Sequence, residues 1–311
     1  MINDSNLAIE AKGLNKIYKD KFGSINKALT YFNINIPQGV TYGLLGPNGA
    51  GKSTFINILG GLVIKNSGLI KICGVDIDKN SKKSRKLIGI VPQELNMDPF
   101  FTPFELLEIQ AGLYGVKKQN RITLDLLKEV NLSNQKNSYS RTLSGGMKRR
   151  LLIAKALVHT PKVVILDEPT AGVDIELRQK IWKYIKELNK KGTTVLLTTH
   201  YLKEAEKLCD YITILNKGKI VATDTKNNLL NLINKKKIVF ILDTKIIKIP
   251  NQLNKYNPIL NNKELSLNCD KKEFNLNEIV EILDRHKIKV KDINTYDTDL
   301  EDVFTLLTKE I

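Results

Sequence analysis

The sequence predicts an α/β protein: a sheet covered by helices, a helical subdomain inserted into it, and a small α+β appendix. Three observations predict it. Short apolar strand-like runs alternate with helical patterns from about residue 7 to 222. Between about 94 and 160 the strand signal fades and apolar residues fall at three-and-four spacing. Beyond NKKKIVF (234–240) the runs shorten again. The chain therefore divides at about residue 230, into 1–230 and 231–311.

Each element has its own warrant. VTYGLLG (40–46), VVILD (163–167), TTVLLTT (193–199) and YITIL (211–215) are almost wholly apolar, the character of strands covered on both faces. LIGIV, before Gln93, reads the same way, and FINILGGL reads as a helix after the first of these strands. FELLEIQAGLYGV and RITLDLLKEVNL read as the helices of the insertion. In the appendix, KIVFIL, IIKI and ELSLN are short runs, NLNEIVEIL is a helix and HKIKVKDI a strand. The terminal TDLEDVFTLL places Leu300, Val303, Phe304 and Leu307 on one helical face.

Composition bounds the function. With 311 residues, 42% of them hydrophobic, the chain can build a substantial core. No apolar run reaches the roughly 18 residues of a membrane span, and MINDSNLAIE lacks the pattern of a secretory leader. A cytosolic protein is expected. Cys73, Cys209 and Cys269 are too few and too far apart for a disulfide framework or a zinc site. The net charge is +16, nearly all of it in the first 230 residues, since 231–311 carry 14 Lys and Arg against 13 Asp and Glu. Such an excess suits nucleic acid, anionic lipid or phosphate ligands, and equally the lysine-rich usage of an AT-rich genome. No basic stripe with interleaved aromatics points to nucleic acid.

The chemistry is carried by GPNGAGKST (46–54), which fits the phosphate-loop pattern between a strand and a helix. Gly46, Pro47, Asn48, Gly49, Ala50 and Gly51 form the loop; its glycines let N–H groups wrap a β-phosphate. Lys52 supplies charge to the β- and γ-phosphates, and the Ser53 hydroxyl, followed by Thr54, is placed to ligate Mg2+. VVILDEPT runs a buried strand into Asp167 and Glu168, a costly arrangement unless the carboxylates act. Asp167 can hold the magnesium through its water shell. Glu168, expected to point the other way, can take a proton from an attacking water. Gln93 and His200 also follow strands, at the edge where parallel sheets gather ligands; an amide suits a magnesium shell and the imidazole a γ-phosphate contact. LSGGMKRR (143–150) offers a second anion-facing helix start, with Ser144 as N-cap. AGVD (171–174) is a tight turn ending in Asp174.

Together, GPNGAGKS, PQE, LSGGM, ILDEPT, GVD and TTH, in this order and spacing, resemble the ATP-binding subunit of an ATP-binding cassette (ABC) transporter over about residues 6–225. Two positions differ mildly from the usual pattern: Met147 stands where most members have glutamine, and Val173 where a leucine is common. The resemblance implies a phosphate-loop ATPase of ABC type with a mixed sheet core, and ATP and Mg2+ as cofactors. It implies a head-to-tail homodimer in which Ser144, Gly145 and Gly146 of one copy cap the ATP held by the other, with Asp174 nearby. Tyr18 matches the aromatic residue that stacks on adenine; by itself it is also ordinary packing.

LSGGMKRRL, LTTHYLKEAEKLCD and DLEDVF are similar to bacterial exporter ATPases that pair with a separate permease, in multidrug and polysaccharide export systems. That implies a place on the inner face of the cytoplasmic membrane. It makes ELNMDPFFTPFELL the permease-coupling surface, where Phe100, Phe101 and Phe104 either form an exposed patch or fill the subdomain core. The alternative is a soluble ABC ATPase acting on ribosomes or DNA. A single phosphate loop and the lack of sustained heptads speak against it.

Overall fold

The computed structural model describes residues 6–19, 21, 23–233, 235–270 and 275–309. Residues 1–5, on which the leader expectation partly rests, lie outside them, as do Asn234 and the Cys269 side chain. The chain forms two compact units, 1–226 and 227–311.

The first unit runs β1 (Leu7–Lys19), β2 (Ile25–Pro37), β3 (Thr41–Leu45), α1 (Lys52–Leu59), β4 (Ser67–Ile72), β5 (Val75–Asp76), α2 (Ser81–Lys86) and β6 (Ile88–Val91). It continues through α3 (Pro103–Leu113), α4 (Thr123–Glu129), α5 (Gly145–Leu157), β7 (Val163–Asp167), α6 (Ile175–Lys190), β8 (Thr194–Thr199), α7 (Leu202–Leu208), β9 (Tyr211–Asn216) and β10 (Lys219–Thr225). A further short helix, α8 (Lys226–Leu230), leads out of it.

One sheet has the order β10-β9-β3-β8-β7-β6, parallel throughout except for the antiparallel edge strand β10. Every residue of β3 and β8 is buried, which explains their unbroken apolar character. A second sheet, β2-β1-β4-β5, is antiparallel. The sequence does not announce it as a separate layer. Register shifts at Leu7/Ile9, Ala11/Leu14 and Leu14/Lys16 break the period-two alternation that would mark a half-buried strand. Helix α1 packs against both sheets, and Phe32 of β2 meets Phe55 of α1 with ring centroids 4.8 Å apart. These rings, with Ile9, Ile36, Leu44 and Leu196, lie in one buried cluster that joins the layers.

No strand occurs between β6 and β7 among the described residues; α3, α4 and α5 pack on one another there. Thr102 starts α3 through a reciprocal capping box: its Oγ1 accepts from Glu105 N–H at 3.2 Å, while Glu105 Oε2 accepts from Thr102 N–H at 2.8 Å. Helix α4 is shorter than RITLDLLKEVNL because Asn131 turns left-handed at φ 54°. Phe100, Phe101 and Phe104 are 69%, 38% and 36% exposed, so the core of this segment is instead Leu106, Leu107, Leu126, Leu127 and Leu151.

The second unit comprises β11 (Lys235–Leu242), β12 (Ile259–Asn261), β13 (Glu264–Asp270), α9 (Leu276–Arg285), β14 (Val290–Asp297) and α10 (Leu300–Lys309). Its antiparallel sheet, β12-β13-β11-β14, buries Ile238, Phe240, Leu265 and Leu267 against Ile279 and Leu283 of α9. IIKI is not a strand: Ile246 and Ile249 pack on this core, Ile247 is exposed, and Pro250 leads into a 3-10 turn. β14 begins later than HKIKVKDI suggests, because α9 runs to Arg285 and Lys287 is left-handed at φ 54°. In α10, Leu300 and Val303 are buried and Phe304 and Leu307 half-buried, as one apolar face requires.

Phe55→Ala should destabilise the first unit by about 3–5 kcal/mol, the range for removing a fully buried ring. Phe100→Ala should change stability by no more than about 0.5 kcal/mol. Urea unfolding followed by Trp182, the single tryptophan of the chain, measures both.

Candidate functional site

The phosphate loop leaves β3 at Leu45, in the middle of the parallel sheet. Two of its glycines are required by close approach. A Cβ on Gly46 would lie 2.3 Å from the Leu215 carbonyl oxygen. A Cβ on Gly51 would lie 2.4 Å from the Ala28 carbonyl oxygen, and Gly51 has φ +111°. Lys52, the first residue of α1, is buried and donates to the carbonyls of Gly46 (2.7 Å) and Pro47 (3.2 Å). Burial holds its pKa below the ordinary lysine value, and the Glu168 and Asp167 charges oppose that shift. An ammonium resting on neutral carbonyls, with two carboxylates as its only charged support among the described residues, is poised for a polyanion.

Strands β7 and β8 run parallel with Asp167 opposite Thr198, so their carboxyl ends reach one edge of the sheet. Thr198 donates its hydroxyl to Asp167 Oδ1 at 2.5 Å. Glu168 does not follow strand alternation to the far side. β7 ends at Asp167, and Glu168 takes a left-handed backbone, φ 51°, with its N–H on the Thr198 carbonyl at 3.1 Å. Its side chain therefore lines the same cavity as Asp167. A non-glycine residue in this region costs roughly 1–3 kcal/mol and persists where its surroundings over-determine it. The Glu168 carboxylate is buried, and its Oε2 meets His200 Nδ1 at 2.5 Å. The imidazole itself is 64% exposed.

A cavity of about 430 Å³ gathers Asn48, Gly49, Ala50, Gly51, Lys52, Ser53, Thr54, Gln93, Asp167, Glu168, His200 and Tyr18. Gly46 and Pro47 serve it through their carbonyls on Lys52. Tyr18 of β1 forms one wall, with Lys16 Nζ 4.8 Å above its ring. Asn26 and Ala28 of β2 also line the cavity, and no motif flags them. Ser144, Gly145, Gly146 and Asp174 lie elsewhere, in a second cavity of about 490 Å³ with Met147, Val173 and Leu177. There Ser144 caps α5 by accepting from Met147 N–H at 3.3 Å, and Asp174 caps α6 by accepting from Leu177 N–H at 2.8 Å. A Cβ on Gly146 would come 2.4 Å from Leu177 Cδ2, the tip of a half-buried side chain that can move aside.

Arg149, which sequence reasoning passes over as one of a basic pair, connects the two cavities. Buried in α5, it donates to the carbonyls of Pro92 (2.9 Å) and Gln93 (2.8 Å). The helix that carries Ser144 is thereby tied to the segment that carries Gln93. Burial lowers the Arg149 pKa, against the Asp167 charge. The apolar run that follows in α5 gives no periodicity that would separate Arg149 from Arg150.

Ser53, Gln93 and Asp167 offer only oxygen donors, and no group of three or more His, Cys, Asp or Glu that could hold a metal exists among the described residues. One carboxylate, one hydroxyl and one amide fit an ion held mainly by phosphate oxygens and water, as Mg2+ is.

Known proteins resemble this chain in sequence and fold. The ABC transporter family profile matches residues 29–171. The chain is 40% identical over 223 residues to the linearmycin resistance ATP-binding protein LnrL of Bacillus subtilis, covering 71% of this chain and 70% of that one. It is 37% identical to the Nod factor export ATP-binding protein I of Burkholderia orbicola, covering 71% and 72%. Among solved structures, a dimeric post-hydrolysis ATP-binding cassette bound to ADP and Pi superposes with TM-score 0.63 at 30% identity, covering 70% of this chain and 98% of that one. CbiO1 of Clostridium perfringens, part of an ABC transporter complex, superposes with TM-score 0.63 at 29% identity, covering 73% and 91%. A phosphate loop, an acidic strand end and a histidine sharing one cavity, in a chain with these relatives, identify it as a member of the ABC transporter family, an ATP-binding subunit that hydrolyses ATP.

Proposed function

We propose that two copies of this chain close head to tail on ATP and that the closure drives a separate membrane permease, exporting a substrate across the cytoplasmic membrane. The observation that carries this reading is the division of the predicted residues between two cavities of one chain. The phosphate loop has no signature glycines beside it, and the signature glycines have no phosphate loop. A two-fold dimer that sets each against the other completes both sites at once.

In this reading residues 1–230 are the motor and 231–311 an accessory domain. The loop from Gly46 to Gly51 wraps the phosphates, Lys52 and Thr54 hold them, and Tyr18 stacks on the adenine. Ser53, Gln93 and Asp167 would hold Mg2+, which when bound neutralises charge on the phosphates. Glu168 takes a proton from the attacking water, and His200, whose Nδ1 meets the Glu168 carboxylate, orients it and contacts the γ-phosphate. Ser144, Gly145, Gly146 and Asp174 of the second copy close the cavity and exclude water.

No helix among the described residues is long and apolar enough to cross a membrane, so the transport path belongs to the partner. The exposed Phe100, with Leu62 and Leu113, offers apolar surface to a permease on the inner face of that membrane. The relatives named for Nod factor export and linearmycin resistance support the export direction.

Glu168→Gln should bind ATP and stay dimeric while turnover falls by at least ~10²-fold; near-normal phosphate release would overturn the role of Glu168. Chelation of Mg2+ with EDTA should abolish hydrolysis, and added Mg2+ should restore it. Ser144→Arg and Lys52→Ala should each be inactive alone. Mixed in equal amounts they should recover roughly a quarter of wild-type turnover, because half the dimers then hold one intact composite site. No recovery would exclude capping in trans.

A further inference from the structure

Glu204 stands in the first turn of α7, four residues after His200, and its side chain is fully buried. Trp182 of α6 donates its indole N–H to Glu204 Oε1 at 2.7 Å. The other oxygen, Oε2, is buried without a hydrogen bond among the described residues. The Thr199 and Thr170 hydroxyls are close enough to favour its charged form, but burial, first, and the Glu168 charge push the carboxyl above the usual range. Thr199 directly precedes His200, and Thr170 lies two residues after Glu168; both are buried. Glu204 does not line the cavity that holds Glu168 and His200.

A buried carboxyl with one oxygen left without a hydrogen bond costs more than an apolar residue of the same size, so its presence calls for a reason. The surroundings supply one. Glu168 holds a strained left-handed backbone, and His200 reaches it from an exposed turn. Both turns need fixing from behind, and Glu204 faces both while anchored to the separate helix α6.

We propose that Glu204 is a positioning residue for ATP hydrolysis: hydrogen-bonded to Trp182 and set behind the turns of Glu168 and His200, it holds the carboxylate and the imidazole at the spacing where they meet. The proposal rests on the reading of Glu168 as the base. It does not make Glu204 a catalytic residue, since no reacting atom touches it. A residue that merely glued α6 to α7 would matter for stability and leave turnover at saturating ATP unchanged.

Steady-state hydrolysis by the full chain decides between the two. Glu204→Ala should lower kcat by about 10- to 100-fold, the scale of a small misplacement at the reacting centre, with the KM for ATP within about twofold of wild type. Glu204→Gln keeps the shape and the acceptor for Trp182 and should restore kcat to within about threefold. Trp182→Phe should lower kcat in the same direction, and its effect should not add to that of Glu204→Ala. Unchanged kcat in Glu204→Ala, or equal loss in the Gln and Ala variants, would overturn the proposal. If Glu204→Ala does not fold, Trp182→Phe decides, and an unchanged kcat there overturns it. Turnover surviving in Glu168→Gln would refute the parent reading instead, whatever the Glu204 variants do.

Discussion

Leu45 pairs with Thr199 and Asp167 with Thr198 in a sheet whose strands run parallel, so the chain leaves β3, β7 and β8 at the same edge. The phosphate loop, the two carboxylates and His200 meet there only because the registers agree. A one-residue slip would send every side chain of a strand to the other face. In the fully buried β3 and β8 that slip is resisted by close packing, which fits one arrangement of side chains on each face. Hydrophobic burial thus fixes the polar geometry of the site, although few of the residues it buries touch the cavity.

The same edge concentrates charge in places poor in water. Lys52, Glu168, Arg149 and Glu204 are all buried. Such charges are tolerable when each has partners, and destabilising when one partner is lost. Lys52 rests on loop carbonyls and Arg149 on the carbonyls of the Gln93 segment. Glu168 has His200, and Glu204 has the Trp182 indole. Only Lys52 is held chiefly by neutral acceptors of its own loop, which leaves its charge available to phosphate.

Arg149 gives the half-site its mechanical sense. The helix start at Ser144 and the segment at Gln93 line different cavities, yet one guanidinium joins their backbones. A displacement of the helical segment therefore cannot leave Gln93 where it was. In the dimer proposed above, Arg149 links the cavity assigned to ATP with the cavity assigned to the second copy, through contacts inside a single chain.

The sequence by itself determined the parallel strands, the helical insertion, the phosphate loop and the identity of the polar residues at strand ends. These are local signals: apolar runs, three-and-four spacing, and residue types that must be neighbours to wrap a phosphate. It did not disclose the antiparallel sheet, whose bulged strands lack clean alternation, nor Asn26 and Ala28, which reach the cavity from it. It misdirected Glu168, because the strand ends one residue earlier than alternation assumes and the backbone turns left-handed. The burial and partners of Arg149 and Glu204 and the separation of Ser144 from Lys52 within one chain were decided only in three dimensions. They depend on which residues far apart in sequence are brought together, and that is fixed by packing between layers rather than by any local pattern.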